Sequence, residues 1–276
     1  LPIDLSWRIS LECRIPWNKV SLMGSLSKPS VSIVIPAYNE ERRLPLAIRD
    51  MRGFFGPSQT SLEFVVVIEK SKDRTVDAAH KAIDGDTRFR VIANDVQRGK
   101  GFAVKTGMLQ AQGDIVFFMD ADLSTPLVEI GTFLSILMSD PTVDIVIGSR
   151  AEAKSQILKK QTWIRQNLGR GFNHLVQAAG IRGVKDTQCG FKAFRRKTIE
   201  PIFTRQTIDG FAFDVEVLLL ARKLGFNIVT QPVRWMNSPD SKVRIWIDPL
   251  KMLWDLIRVR WIVRRTLKAK SPDSAL

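Results

Sequence analysis

From Ser30 onward the sequence predicts an α/β fold, a mainly parallel sheet with helices on both faces. Three observations carry that prediction. Short, almost uninterrupted apolar runs recur, as in Ile33-Val34-Ile35, Val65-Val66-Val67-Ile68 and Ile115-Val116-Phe117-Phe118, the signature of strands buried on both faces. Segments with helical periodicity separate them, as crossover connections require. The chemically distinctive residues follow the runs, and open α/β sheets bind ligands beyond the carboxyl ends of their strands.

Taken in order, Val31–Ile35 reads as a strand closed by Pro36, and Glu40 to about Arg52 as a helix that Asn39 can cap. Leu62–Ile68 is a second strand, Asp73–Ile83 a helix and Phe89–Ala93 a third strand. Gly101–Gln112 is helical and stops at Gly113; Asp114–Met119 is the fourth strand. Pro126–Met138 is a helix with proline in its tolerant first turn, and Asp144–Gly148 a fifth strand. Beyond these, Ile164, Leu168, Phe172, Val176 and Ala179 form an i, i+4 ladder, so a basic helix is expected over about 157–179. Asp186–Lys192 reads as a polar loop with a turn glycine. A helix starts near Phe211 and runs through Leu224 to Gly225, and Asn227–Val233 is a strand. A last helix opens at Asp248-Pro249, with Leu250, Leu253, Trp254, Ile257 and Trp261 on one face and several arginines around it.

The chain has 276 residues and a net charge of +14, which favours an anionic partner: nucleic acid, an anionic membrane or a phosphorylated substrate. Two cysteines and two histidines exclude a disulfide framework and disfavour a zinc centre, so any metal must rest on carboxylates. No window reaches about 18 uninterrupted apolar residues, and no membrane-crossing helix is expected. The stretch 1–29 lacks the apolar core of a signal peptide. The two basic amphipathic segments read either as surface helices with a solvated basic face or as helices lying on a membrane.

Asp120-Ala121-Asp122 directly follows the fourth strand. If extended geometry continued, both carboxylates would point the same way. Two hard oxygen donors suit Mg²⁺ or Mn²⁺, which complete their shells with substrate phosphates, so the pair suggests an enzyme that handles a nucleotide diphosphate. Gln97-Arg98-Gly99-Lys100-Gly101 precedes a helix, where glycines and a helix N-terminus favour phosphate and Lys100 adds a cation. Tyr38, the single tyrosine, leaves the first strand and can pack on a base. Glu40 or Glu69 is placed to accept hydrogen bonds from ribose or base.

Together these residues resemble the GT-A glycosyltransferases of family 2. The matching strings are Pro36-Ala37-Tyr38-Asn39-Glu40-Glu41, Ser71-Lys72-Asp73-Arg74-Thr75, Arg98-Gly99-Lys100-Gly101 and Asp120-Ala121-Asp122. Gly148-Ser149-Arg150, Asp186-Thr187-Gln188-Cys189-Gly190-Phe191-Lys192 and Phe213-Asp214-Val215-Glu216 narrow the resemblance to the dolichyl-phosphate glucosyltransferase branch and its polyprenyl-phosphate relatives. The resemblance implies a Rossmann-like GT-A catalytic domain over 30–236, after an extension 1–29 of unknown role and before a basic amphipathic segment 237–276 that can associate with a membrane. It implies inverting transfer of a hexose, glucose from UDP-glucose first, to a polyprenyl or dolichyl monophosphate at the cytoplasmic face of a membrane. Pro36, Ala37, Tyr38, Glu40, Glu69, Lys100, Asp120 and Ala121 would bind the nucleotide sugar, and Asp120 and Asp122 would hold Mg²⁺ or Mn²⁺. Arg150, Arg165 and Arg170 would grip the acceptor phosphate.

A phosphate monoester is largely dianionic at pH 7 and needs no base, whereas a hydroxyl acceptor would. Asp122 is counted among the catalytic residues, with Asp186 and Asp214 as orienting groups, or as a base for a hydroxyl acceptor. Ile68-Glu69-Lys70-Ser71 departs from the family's usual acidic pair and glycine, which leaves uridine specificity open. Two alternatives stand beside this reading: a family 2 enzyme using a hydroxyl acceptor or GDP-mannose, and a basic nucleic-acid-binding module. No RNP, zinc-finger or helix-turn-helix signature supports the latter, and nucleic acid is not an expected partner.

Overall fold

A computed structural model describes residues 30–56, 61–153, 155–159, 177, 183–236 and 248–269. The extension 1–29, Arg165, Arg170 and, apart from Gln177, the basic helix expected beyond residue 159 lie outside them.

Nine strands are described: β1 (Val31–Ala37), β2 (Leu62–Ile68), β3 (Phe89–Ala93), β4 (Ile115–Met119), β5 (Ile145–Ser149), β6 (Gln156–Lys159), β7 (Phe191–Arg195), β8 (Ile228–Pro232) and β9 (Arg234–Met236). The helices are α1 (Leu44–Phe55), α2 (Thr75–Ile83), α3 (Lys100–Gln110), α4 (Glu129–Ser139), α5 (Arg196–Phe203), α6 (Phe213–Lys223) and α7 (Asp248–Ala269). Seven strands form one sheet in the order β3-β2-β1-β4-β7-β5-β8, and β6 pairs with β9. The sheet is parallel except for β7, which runs antiparallel between β4 and β5.

The period of two along each strand divides the interior into two cores. Ile33, Ile35, Phe64, Val66 and Phe117 face one, under α1 and α4. Val34, Val65, Val67, Val116 and Phe118 face the other, under α3, α5 and α6. Phe133 of α4 meets Phe191 edge-to-face with centroids 4.7 Å apart, tying α4 to the start of β7; such pairs add about 0.5–1.5 kcal/mol beyond their buried area.

Several expectations need correction. Asn39 does not cap α1. The helix starts at Leu44, and Asn39 sits at φ +52° with its side chain turned to the next loop. The helix expected from residue 157 begins as β6, because Gln156 and Ile157 pair with Arg234 and Trp235. Phe191 and Lys192 do not belong to a polar loop but open β7. Strands β7 and β9 and helix α5 have no counterpart among the predicted elements. The remaining helices and strands shift at their ends by a few residues.

These placements set up the site. The carboxyl ends of β1, β2, β4 and β5 lie at one edge of the sheet. Antiparallel β7 begins at that same edge, since Phe191 pairs with Met119. The 186–190 loop is thereby delivered beside Asp120.

Candidate active site

The first layer is a brace between the segments after β1 and β2. The Asn39 amide donates to Ser71 Oγ (3.0 Å), and the Lys72 amide donates to Asn39 Oδ1 (2.7 Å). The Glu40 amide donates to Thr75 Oγ1 (2.8 Å) and the Glu41 amide to Asp73 Oδ2 (3.2 Å). The Ser71, Asp73 and Thr75 side chains thus hold the 39–41 turn in place. Burial opposes the charge on Asp73, but donors from Thr75 and Glu41 outweigh it and hold the carboxyl below its ordinary value. Pro36 and Ala37 are buried at the end of β1, and Tyr38 is half-buried beyond it. The Glu40 carboxylate is buried and bound by Arg43.

Glu69 is buried, and its carboxylate accepts from the Arg98 amide (2.6 Å), the Gly99 amide (2.8 Å) and Asn94 Nδ2 (2.8 Å). It therefore fixes the loop that carries Lys100. The free helix N-terminus expected at this loop is corrected by the structure: the Gly101 and Phe102 amides both donate to the Asp209 carbonyl, at 2.7 and 3.2 Å. The glycines serve that packing. A Cβ at Gly99, whose φ is +134°, would fall 2.5 Å from the Asp209 carbonyl oxygen, and one at Gly101 2.5 Å from that of Ile208. The loop directs Lys100 to the Asp-x-Asp turn, with Nζ 2.6 Å from Asp120 Oδ1. Burial works against the Lys100 charge, but Asp120 and Asp214 raise its pKa above the ordinary lysine value.

Strand β4 ends at Met119, so extended geometry does not continue through the aspartates. The Leu123 amide closes a turn on the Asp120 carbonyl (3.2 Å), and Leu123 adopts φ +50°, a conformation that costs a branched residue of order 1 kcal/mol and persists where surrounding structure enforces it. Asp122 Oδ1 accepts the Ser124 amide at 3.0 Å. Burial and the neighbouring Asp120 charge push the Asp122 carboxyl above the usual range. Among the described residues no group of three or more His, Cys, Asp or Glu gathers to hold a metal. The available donors are the hard oxygens of Asp120 and Asp122, which fit Mg²⁺ or Mn²⁺ completed by phosphate and water and do not fit a structural zinc.

Behind this turn, Lys192 is fully buried, with Nζ 2.5 Å from Asp214 Oδ1 and donating to the Cys189 carbonyl at 2.7 Å. Both ammonium groups face the Phe118 ring, Lys192 at 4.9 Å and Lys100 at 5.6 Å from its centroid. Asp214 is also buried, and burial keeps its carboxyl above the usual range although Lys192 and Lys100 oppose this. Lys192, for which the sequence suggests no role, and Gly190, expected only as a turn glycine, lie against Asp214 and Asp120. The apolar spacing of Phe191, Ala193 and Phe194 around Lys192 was the available signal.

Arg150 leaves β5 and is clamped by Asp186: Nε donates to Oδ2 at 2.6 Å, Nη2 to Oδ1 at 2.8 Å and the amide to Oδ2 at 2.9 Å. Its guanidinium stands 5.4 Å from the Trp235 ring centroid. Burial opposes charge on Asp186, but Arg150 outweighs it and holds the carboxyl below its usual range. Cys189 is buried between these groups, its thiol pushed up to about 12 by burial and Asp186. One sheet edge therefore gathers Lys100, Asp120, Asp122, Arg150, Asp186, Lys192 and Asp214.

A mainly parallel sheet with an Asp-x-Asp turn at its carboxyl edge is the architecture of a GT-A glycosyltransferase. Residues 32–203 match the model of glycosyl transferase family 2, and the chain belongs to that family. A dolichyl-phosphate beta-glucosyltransferase of Drosophila melanogaster is 36% identical over 246 residues, covering 84% of this chain and 76% of the relative. One of Saccharomyces cerevisiae is 35% identical over 246 residues, covering 83% and 74%. Among solved structures, glucosyl-3-phosphoglycerate synthase from Mycobacterium tuberculosis in complex with Mn²⁺ and UDP-glucose superimposes with a TM-score of 0.62 at 16% identity, covering 84% of this chain and 79% of that one. That likeness shows the shared fold.

Proposed function

We infer that the protein transfers glucose from UDP-glucose, with inversion, onto a polyprenyl or dolichyl monophosphate at a membrane surface. The names of its curated relatives support the acceptor and the sugar. The observation that carries the reading is the meeting of the 186–190 loop with the Asp120 turn, which brings the Arg150–Asp186 clamp to the edge where a nucleotide diphosphate would lie.

Asp120 and Asp122 would hold Mg²⁺ or Mn²⁺, which when bound supplies counter-charge for the departing diphosphate. Lys100, fixed by Glu69 through the loop amides, adds a positive charge beside Asp120. Tyr38 borders the donor pocket after β1. Arg150 has Nε and one side of Nη2 committed to Asp186, so its remaining N–H edge is left to a phosphate. Neither Asp186 nor Asp214 is a free base: the first is paired with Arg150 at a lowered pKa, the second is sealed against Lys192. A phosphate acceptor needs no base, and the site fits it better than a hydroxyl acceptor.

Label transfer tests the reading. Purified protein is given radiolabelled UDP-glucose, UDP-galactose or GDP-mannose with a short polyprenyl phosphate. Label from UDP-glucose is expected in the organic extract. Preference for GDP-mannose, or label confined to water-soluble products, would contradict it.

A further inference from the structure

Helix α7 is apolar on two opposite faces, and one of them is spent on the core. Leu256, Val259 and Val263 are buried in the cluster that contains α6. This corrects the predicted apolar face: Leu253, Trp254 and Trp261 point away from the core and are exposed. On the far side Trp254, Arg258, Trp261 and Arg265 follow i, i+4, i+7 and i+11, one stripe along the helix at 3.6 residues per turn. Trp254 is 59% exposed and Trp261 57%. Each indole carries a guanidinium from one turn ahead, Arg258 at 5.7 Å and Arg265 at 5.2 Å from the ring centroid. Arg264 is exposed alongside.

Two indoles in water one heptad apart, each topped by an arginine, form a surface with a specific match. An indole seats at the level of lipid headgroups, apolar body inward and N–H outward. A guanidinium stacked on it stays at that depth, where lipid phosphates lie. Polybasic surfaces gain about 1 kcal/mol per Lys or Arg near an anionic leaflet, and this chain carries +14. Trp and Arg also anchor protein interfaces; the choice of lipid follows from the charge and rests on the polyprenyl-phosphate reading above.

We propose that the Trp254–Arg258–Trp261–Arg265 stripe is a docking face for an anionic bilayer. Helix α7 packs on α6, whose first turn carries Asp214. A bilayer held by the stripe would thus have a set orientation to the catalytic edge.

Vesicle flotation of the full chain tests this. The wild type is expected to float with mixed phosphatidylglycerol–phosphatidylcholine vesicles and less with phosphatidylcholine alone. Trp254→Ala/Trp261→Ala is expected to lose flotation, while its thermal melt and its turnover of a short, water-soluble isoprenyl phosphate stay unchanged. Arg258→Gln/Arg265→Gln is expected to bind about thirtyfold more weakly, the loss of two such charges. Unaltered flotation of both variants would overturn the proposal. So would a wild type that does not float but sediments as a dimer which the tryptophan variant dissociates. The two readings fail separately: flotation without glucose transfer removes the enzymatic reading and leaves the docking face, whereas transfer without flotation does the reverse.

Discussion

The Asp120 carboxylate rests directly on the Cα of Gly190. A methyl group at position 190 would fall 2.0 Å from Asp120 Oδ2 and 2.4 Å from its Cγ. The Asp120 amide also donates to the Gly190 carbonyl at 3.1 Å. Glycine at this position is what lets the 186–190 loop close over the Asp-x-Asp turn. Gly190→Ala is therefore expected to displace Asp120 and cut turnover about a hundredfold, the cost of a misplacement near 1 Å. Steady-state kinetics beside an unchanged far-ultraviolet circular dichroism spectrum would check it; full activity would show that the contact is dispensable.

Lys192 is the only fully buried ammonium among the described residues. Lys192→Met leaves Asp214 buried without its partner, and a loss of about 3–5 kcal/mol is expected. Adding Asp214→Asn to that variant removes the orphaned charge and should restore much of the stability. Urea unfolding of the two variants tests both steps.

The acid limb of the stability curve reports on Asp186. Its folded pKa is depressed because Arg150 outweighs burial. The carboxylate therefore stabilises the fold above its unfolded value, about 3.9, and that stabilisation is lost as pH falls through the folded value. Asp186→Asn should be less stable than wild type at neutral pH and should lose less on acidification below about pH 4. Parallel acid limbs in the two proteins would remove the pair from the account.

Glu69 holds the Lys100 loop by accepting two consecutive amides. Glu69→Gln points an amide nitrogen at one of the three donors, leaving it unsatisfied at about 1–3 kcal/mol. The expected result is a raised KM for the donor with that for the acceptor unchanged. A change confined to the acceptor would reassign the loop.

Much of this was legible in the sequence, for a physical reason. Strands β1, β2 and β4 are buried almost throughout, so their apolar runs are long. Asp120 and Asp122 were legible because they end such a run. Strand β7 was not: it is short and holds Lys192, whose charge is paired with Asp214, 22 residues away. Strand β6 was hidden because its partner β9 lies far along the chain and Ile157 fits the periodicity of a helix. Asn39 looked like a helix cap because its role, bonding the Lys72 amide, depends on a loop 33 residues later. The outward face of α7 was misassigned because the helix carries two apolar stripes and only packing decides which is buried. In each case the missing information was a long-range partner.

The most direct test of the central claim is transfer of label from UDP-glucose to a short polyprenyl phosphate, measured with and without added Mg²⁺ or Mn²⁺ in wild type and in Asp122→Ala. The account expects metal-dependent label in the organic phase for the wild type and its loss in a folded Asp122→Ala. Transfer that ignores the metal, or that survives in Asp122→Ala, would contradict it.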